Sequence, residues 1–117
     1  MTFDPVSIEE AIRNCANRIA KGVTVVANRY SAFLDADRAY DQAYAQAYLE
    51  AGGAAHERKY IAELATVDER QARDLADAAF RYADRQAKAL ESELRALQSV
   101  GASSRAMFSV AGRGEGA

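Results

Sequence analysis

Proline occurs once in this chain of 117 residues, at position 5, and glycine only seven times. These are the residues that stop or reverse helices, so their scarcity leaves few places where a helix must end. Tryptophan is absent, and a single cysteine excludes an intramolecular disulfide. That residue, Cys15, reads as a reduced, buried thiol of an intracellular protein. The one histidine, His56, has no cysteine and no clustered carboxylate pair at ligand spacing, so no metal site is expected. No Ser-His, Cys-His or HExxH arrangement is present, and Gly52-Gly53 is too short to cradle a phosphate. The carboxylates lie on what reads as solvated helix surface, where nothing raises a pKa for acid–base work. The chain is expected to be neither an enzyme nor a cofactor binder. Uncharged runs such as 22–28 are far too short to span a bilayer. The acids Asp4, Glu9 and Glu10 are unlike a signal peptide. A cytoplasmic protein without a membrane role is the expectation.

What the chain has is a four-three spacing of apolar residues in both halves. Ile12, Ile19, Val26, Phe33, Tyr40 and Ala47 recur every seven residues, with Ile8 and Cys15 flanking them. In the second half Ala76, Phe80, Ala83, Ala87, Leu90, Leu94 and Leu97 step alternately by four and three. On a helix such positions form one stripe, and a stripe held over several heptads is a helix-packing seam. The fold class is all-α, a long antiparallel helical hairpin of coiled-coil type.

The spacing predicts one arm over about 5–51, a hinge at Gly52-Gly53 and a second arm over about 54–99. Asp4 can cap free N–H groups and Pro5 suits a first turn, with Ser7 and Glu10 offering a capping box as an alternative start. Gly22 and the β-branched run Val23–Val26 leave open whether the first arm is one helix or two. At Gly52-Gly53 a helix can end in a left-handed cap and reverse. Gly101, Ser103 and Ser104 read as the end of a hairpin domain over 1–101, followed by a flexible tail over 102–117. Much of the seam is alanine, which buries little area, so an oligomer that covers the remaining apolar edge is expected. Val23, Tyr30, Tyr40, Tyr44 and Tyr48 are the candidate interface residues.

Charge is distributed unevenly within a net of −2. No acid occurs between Ala11 and Leu34, where Arg13, Arg18, Lys21 and Arg29 stand. None occurs between Leu94 and Gly114, where Arg95, Arg105 and Arg113 stand. Residues 35–93 hold thirteen acids and eight bases. A hairpin turning at Gly52-Gly53 brings both basic stretches to its open end, where they could follow a phosphate backbone. The alternative is a chance cluster on a solvated surface. Tyr40, Tyr44 and Tyr48 could stack bases, but Asp35, Asp37 and Asp41 around them repel phosphate and favour an interface ridge. Asp77, Asp84 and Glu91 each precede a base by four residues, as in a salt-laced helix face or an inter-chain charge code.

Three stretches carry a likeness: Tyr30-Ser31-Ala32-Phe33-Leu34, the acid-containing second arm, and the ending Leu94–Gly101 followed by Met107, Phe108 and Gly112. In these the chain resembles the UvsY-type recombination mediators of tailed bacteriophages, over about 90 residues of pattern. The basic segment that the family carries before its hinge has no counterpart at 40–51. The resemblance implies a small oligomeric helical protein that binds single-stranded DNA and helps to load a recombinase or annealing protein. It also implies bacteriophage origin and residence in the host cell cytoplasm. Two other readings stand beside it. One is a helical protein-binding adaptor or inhibitor without nucleic-acid binding. The other is a virion scaffold or secreted helical-hairpin protein, although the WxG hinge of one such secreted family is missing.

Overall fold

The computed structural model of the protein describes residues 4–115. Its elements are α1 (Pro5–Glu50), α2 (Ala55–Ala65) and α3 (Val67–Glu115), with no strand among the described residues. The fold is the helical hairpin expected from the two seams.

α1 starts at the Asp-Pro pair. Ser7 donates its backbone N–H to Asp4 Oδ1 at 2.8 Å and its hydroxyl to Asp4 Oδ2 at 3.0 Å, while Asp4 O accepts from the Ile8 N–H. Pro5 sits where its missing N–H has no intrahelical partner to lose. Donation from Ser7 stabilises the ionised carboxylate and lowers the Asp4 pKa below its ordinary value. The cap is therefore complete above the ordinary carboxylate range and is lost as pH falls through the lowered pKa. Asp4→Asn should keep the helix start but remove this acid sensitivity, a difference readable by far-UV circular dichroism between about pH 2 and 5.

α1 is one helix. Gly22 does not break it, because a lone interior glycine costs only about 1 kcal/mol and no capping group competes for its neighbours. The turn comes where the paired glycines stand. Gly53 has φ +98°, the left-handed region, and its carbonyl accepts from Arg58 Nε at 2.9 Å. Of the two paired glycines, only Gly53 requires this conformation. Gly53→Ala should cost about 1–2 kcal/mol of stability in a denaturant titration, whereas Gly52→Ala, with nothing within 4 Å of an added Cβ, should cost almost nothing.

The second arm departs from the expected single helix over 54–99 at both ends. It is interrupted at Thr66, which has φ −119° and ψ 24°. There the Thr66 N–H turns to Glu63 O at 3.4 Å, and the side-chain hydroxyl takes its place on Ala62 O at 2.7 Å. A threonine hydroxyl competing for the i−4 carbonyl bends a helix. The helix resumes with Arg70 N–H on Thr66 O at 3.0 Å. Both Ala62 and Thr66 are buried, so Thr66→Val should leave Ala62 O without this donor, or straighten the helix. About 1–2 kcal/mol should be lost in urea unfolding.

At its other end the arm does not stop at Ser99 to Gly101. α3 continues to Glu115, across most of the stretch expected as a tail; Gly116 and Ala117 lie outside the described residues. Gly101 is a packing residue rather than a terminator. It is buried, and a Cβ there would meet Ile8 Cγ2 at 3.3 Å and Ile12 Cδ1 at 3.6 Å. The absence of a side chain lets α3 approach α1 closely at this point.

The described chain forms two compact units. Unit 1 joins 1–24 to 85–117, and unit 2 is 25–84. Within unit 1, Ile8, Cys15, Gly101 and Ser104 are buried, and Cys15 Sγ donates to Leu90 O at 3.3 Å. Within unit 2, Ala51, Ala62, Thr66 and Ala83 are buried, beside a ring contact of Tyr30 with Phe80 at 5.0 Å. In each unit the pairing is antiparallel: Ile8 lies against Gly101 and Cys15 against Leu90, and Arg29 lies against Ala79 and Asp37 against Arg73.

Candidate functional site

The basic residues singled out in the sequence separate into distinct environments. Arg13 and Lys21 on α1, and Arg95 and Arg105 on α3, are exposed in unit 1. Arg95 donates to Ser92 Oγ at 3.2 Å, one turn back on its own helix. Arg18 is exposed as well, but it faces Glu93 at 3.8 Å across the pair of helices. A bridge between side chains this exposed contributes little to stability and still offers the arginine to a ligand. The side chain of Arg113 lies outside the described residues.

Arg29 stands apart. It belongs to unit 2 and is half-buried, and its Nη1 donates to Ala79 O at 3.2 Å. Its apolar stem lies in the seam while its head satisfies a carbonyl of the facing helix. The signal was present in the spacing: residue 29 continues the seven-residue series of Ile8, Cys15 and Gly22. A base on a seam position serves packing before it serves a ligand.

The division into units follows the charge pattern. Unit 1 holds eight Lys or Arg against six Asp or Glu, and unit 2 holds seven against eleven. The second acid-poor stretch and residues 11–24 of the first thus fall within one compact, net-positive body, while residues 25–34, Arg29 among them, belong to unit 2. The exposed cations of unit 1 lie on two neighbouring helices, a surface that suits a flexible polyanion better than a compact ligand.

The interface candidates are equally mixed. Val23 is 65% exposed, the only one of the five in unit 1. Tyr30 packs its ring on Phe80 and lies 6.5 Å from Phe33, so part of it is spent on the chain's own fold. Tyr40, Tyr44 and Tyr48 form a half-buried ladder, with neighbouring ring centroids 6.2 and 6.4 Å apart. The Arg73 guanidinium lies over the Tyr40 ring at 4.6 Å and reaches towards Asp37 at 3.9 Å. A cation over the aromatic face stabilises it and occupies the side on which a base would stack.

Other residues were not legible as candidates. Arg73 pins the ladder from α3, and Leu64, Leu75 and Tyr60 stand more than half exposed on α2 and α3. Among the described residues there is no group of His, Cys, Asp and Glu able to hold a metal, and no helix is long and apolar enough to cross a membrane. No family model, curated protein or solved structure matches the chain.

Proposed function

We propose that the protein is a non-enzymatic accessory factor of phage-type DNA recombination, which binds single-stranded DNA weakly and helps to load a recombinase or annealing protein. The observation that carries this reading is the net-positive unit 1, which joins residues 11–24 of the first acid-poor segment to the whole of the second, with Arg13, Lys21 and Arg105 exposed on its helices. Electrostatic contact with phosphates requires no pocket, only closely spaced cations that release counterions on binding. The resemblance to the UvsY-type mediators supplies the biological setting.

Fluorescence anisotropy with a short single-stranded oligonucleotide tests the reading. Affinity should fall steeply between low and physiological salt. Arg13→Gln, Lys21→Gln and Arg105→Gln combined should flatten the plot of log K against log salt by about 2, at roughly 0.7 per phosphate contact. Arg81→Gln, on the acidic unit, should leave that slope unchanged. Absence of binding by the intact protein at low salt would overturn the DNA role.

One observation favours a second reading, a helical adaptor or inhibitor that binds protein alone. Unit 2 is net negative and leaves Leu64, Val67 and Leu75 more than half exposed, which suits contact with protein and repels phosphate.

A further inference from the structure

α3 packs on α1 through one seam, yet it carries a second apolar row on the opposite side. The packing seam runs 62, 66, 69, 73, 76, 80 and 83 in four-three steps, and every position is buried or half-buried. On α3, Val67, Gln71, Leu75 and Ala78 lie about 180° around the helix from positions 69–83 of that seam at 100° per residue, and on α2, before the break at Thr66, Leu64 stands in the same relation to Ala62. All five are exposed, Leu64 at 77%, Val67 at 53% and Leu75 at 64%. A helix with apolar rows on opposite faces is built to be covered on both.

The charges beside the outer row identify what covers it. One flank reads Glu63, Arg70, Asp74, Arg81, alternating in sign; the other presents Ile61, Ala72 and Ala79, with Asp68. Arg81 and Asp74 each hold a neighbour on their own helix, Asp77 at 3.1 Å and Arg73 at 3.3 Å. They nevertheless remain 69% and 61% exposed. A two-fold axis through Gln71 lays two such rows antiparallel and sets each flank against its own copy. Glu63 then meets Arg81 of the second copy and Arg70 meets Asp74, each contact occurring twice. On the other flank Ile61 meets Ala79. In the row itself Val67 faces Leu75, and Leu64 faces Ala78, large against small. A parallel arrangement would instead set the alternating flank against the apolar one and leave Glu63, Asp74 and Arg81 without opposite charges. We propose that the outer row of α2 and α3 is a self-recognition surface, closed by a second copy of this chain in antiparallel two-fold pairing about Gln71.

The surface is separate from the basic residues of unit 1, so this pairing and DNA binding stand or fall independently. Light scattering of the full chain at about 100 μM should give twice the 12.7 kDa chain mass. Leu75→Glu, at an exposed site, should preserve helicity while weakening the dimer by more than about tenfold. Orientation is read by cross-linking. Val67→Cys and Leu75→Cys proteins, mixed and oxidised, should form a mixed disulfide, while Val67→Cys alone should not; Cys15 is buried and stays in place. A monomer at every concentration, a dimer indifferent to Leu75→Glu, self-cross-linking of Val67→Cys alone, or no cross-link at all would each overturn the proposal.

Discussion

Ala83→Asp is expected to abolish most of the stability of the hairpin. Ala83 is 4% exposed and lies one turn beyond Ala79 and Phe80, the residues that α3 presents to Arg29 and Tyr30 of α1. A carboxylate there has no room on the seam, and it must be desolvated, force the helices apart or draw Arg29 off the Ala79 carbonyl. A loss of more than about 3 kcal/mol follows, against a total that for a small domain is typically about 5–15 kcal/mol. Ala89→Asp is the matched control. Its site is exposed on the same helix, so the change should stay within about 0.5 kcal/mol. Urea unfolding followed by far-UV circular dichroism separates the two. Equal effects would mean that α3 does not pack on α1 through the seam described.

Gly101→Leu should be the second most damaging change, for the opposite physical reason. It exchanges a poor helix former for a good one and on propensity alone would gain about 1 kcal/mol. The Cβ already reaches 3.3 Å from Ile8 Cγ2, and the rest of a leucine side chain must enter space that Ile8 and Ile12 fill. Overpacking of this kind costs about 1–3 kcal/mol or more, so a net loss remains. Gly101→Ala tests the balance. Ile8 need yield only a few tenths of an ångström for one methyl group, and the propensity gain should leave stability within about 0.5 kcal/mol of the parent. Thermal melts of the three proteins should rank parent and Gly101→Ala together, with Gly101→Leu lower. A leucine variant that melts higher than the parent would identify Gly101 as a helix weak point without a packing role.

The contrast between Gly53 and Gly101 shows how far residue type alone can be carried. Both read as helix punctuation in the sequence. Gly53 is one, with its left-handed φ of +98°; Gly101 lies inside a helix. The distinguishing signal was periodicity, because 97, 101 and 104 continue the alternating four-three steps of the second seam. Backwards from Ala76 the same steps reach Arg73, Glu69, Thr66 and Ala62. Polar residues on a seam are easily passed over, and here they include the helix break and the arginine that covers Tyr40. Arg29 is the corresponding case on α1, a cation whose place in a seven-residue series matters more than its charge.

The sequence by itself determined the all-α class, the two packing seams, the cap at Asp4 and the turn at Gly52-Gly53. Each of these depends on local chemistry or on the helical period, which a string of residues records directly. It also determined that the bases are segregated from the acids. Only the tertiary structure decided which of those bases are occupied within the fold, that α3 runs past Gly101, and that the second arm breaks at Thr66. The break depends on the burial of Thr66, whose hydroxyl bonds Ala62 O one turn back; the other two depend on what a facing helix offers at a given height, a carbonyl at Ala79 for Arg29 and the side chain of Ile8 for Gly101. Partners of that kind lie some 35 to 95 residues away along the chain, and they come within contact distance only when the hairpin closes.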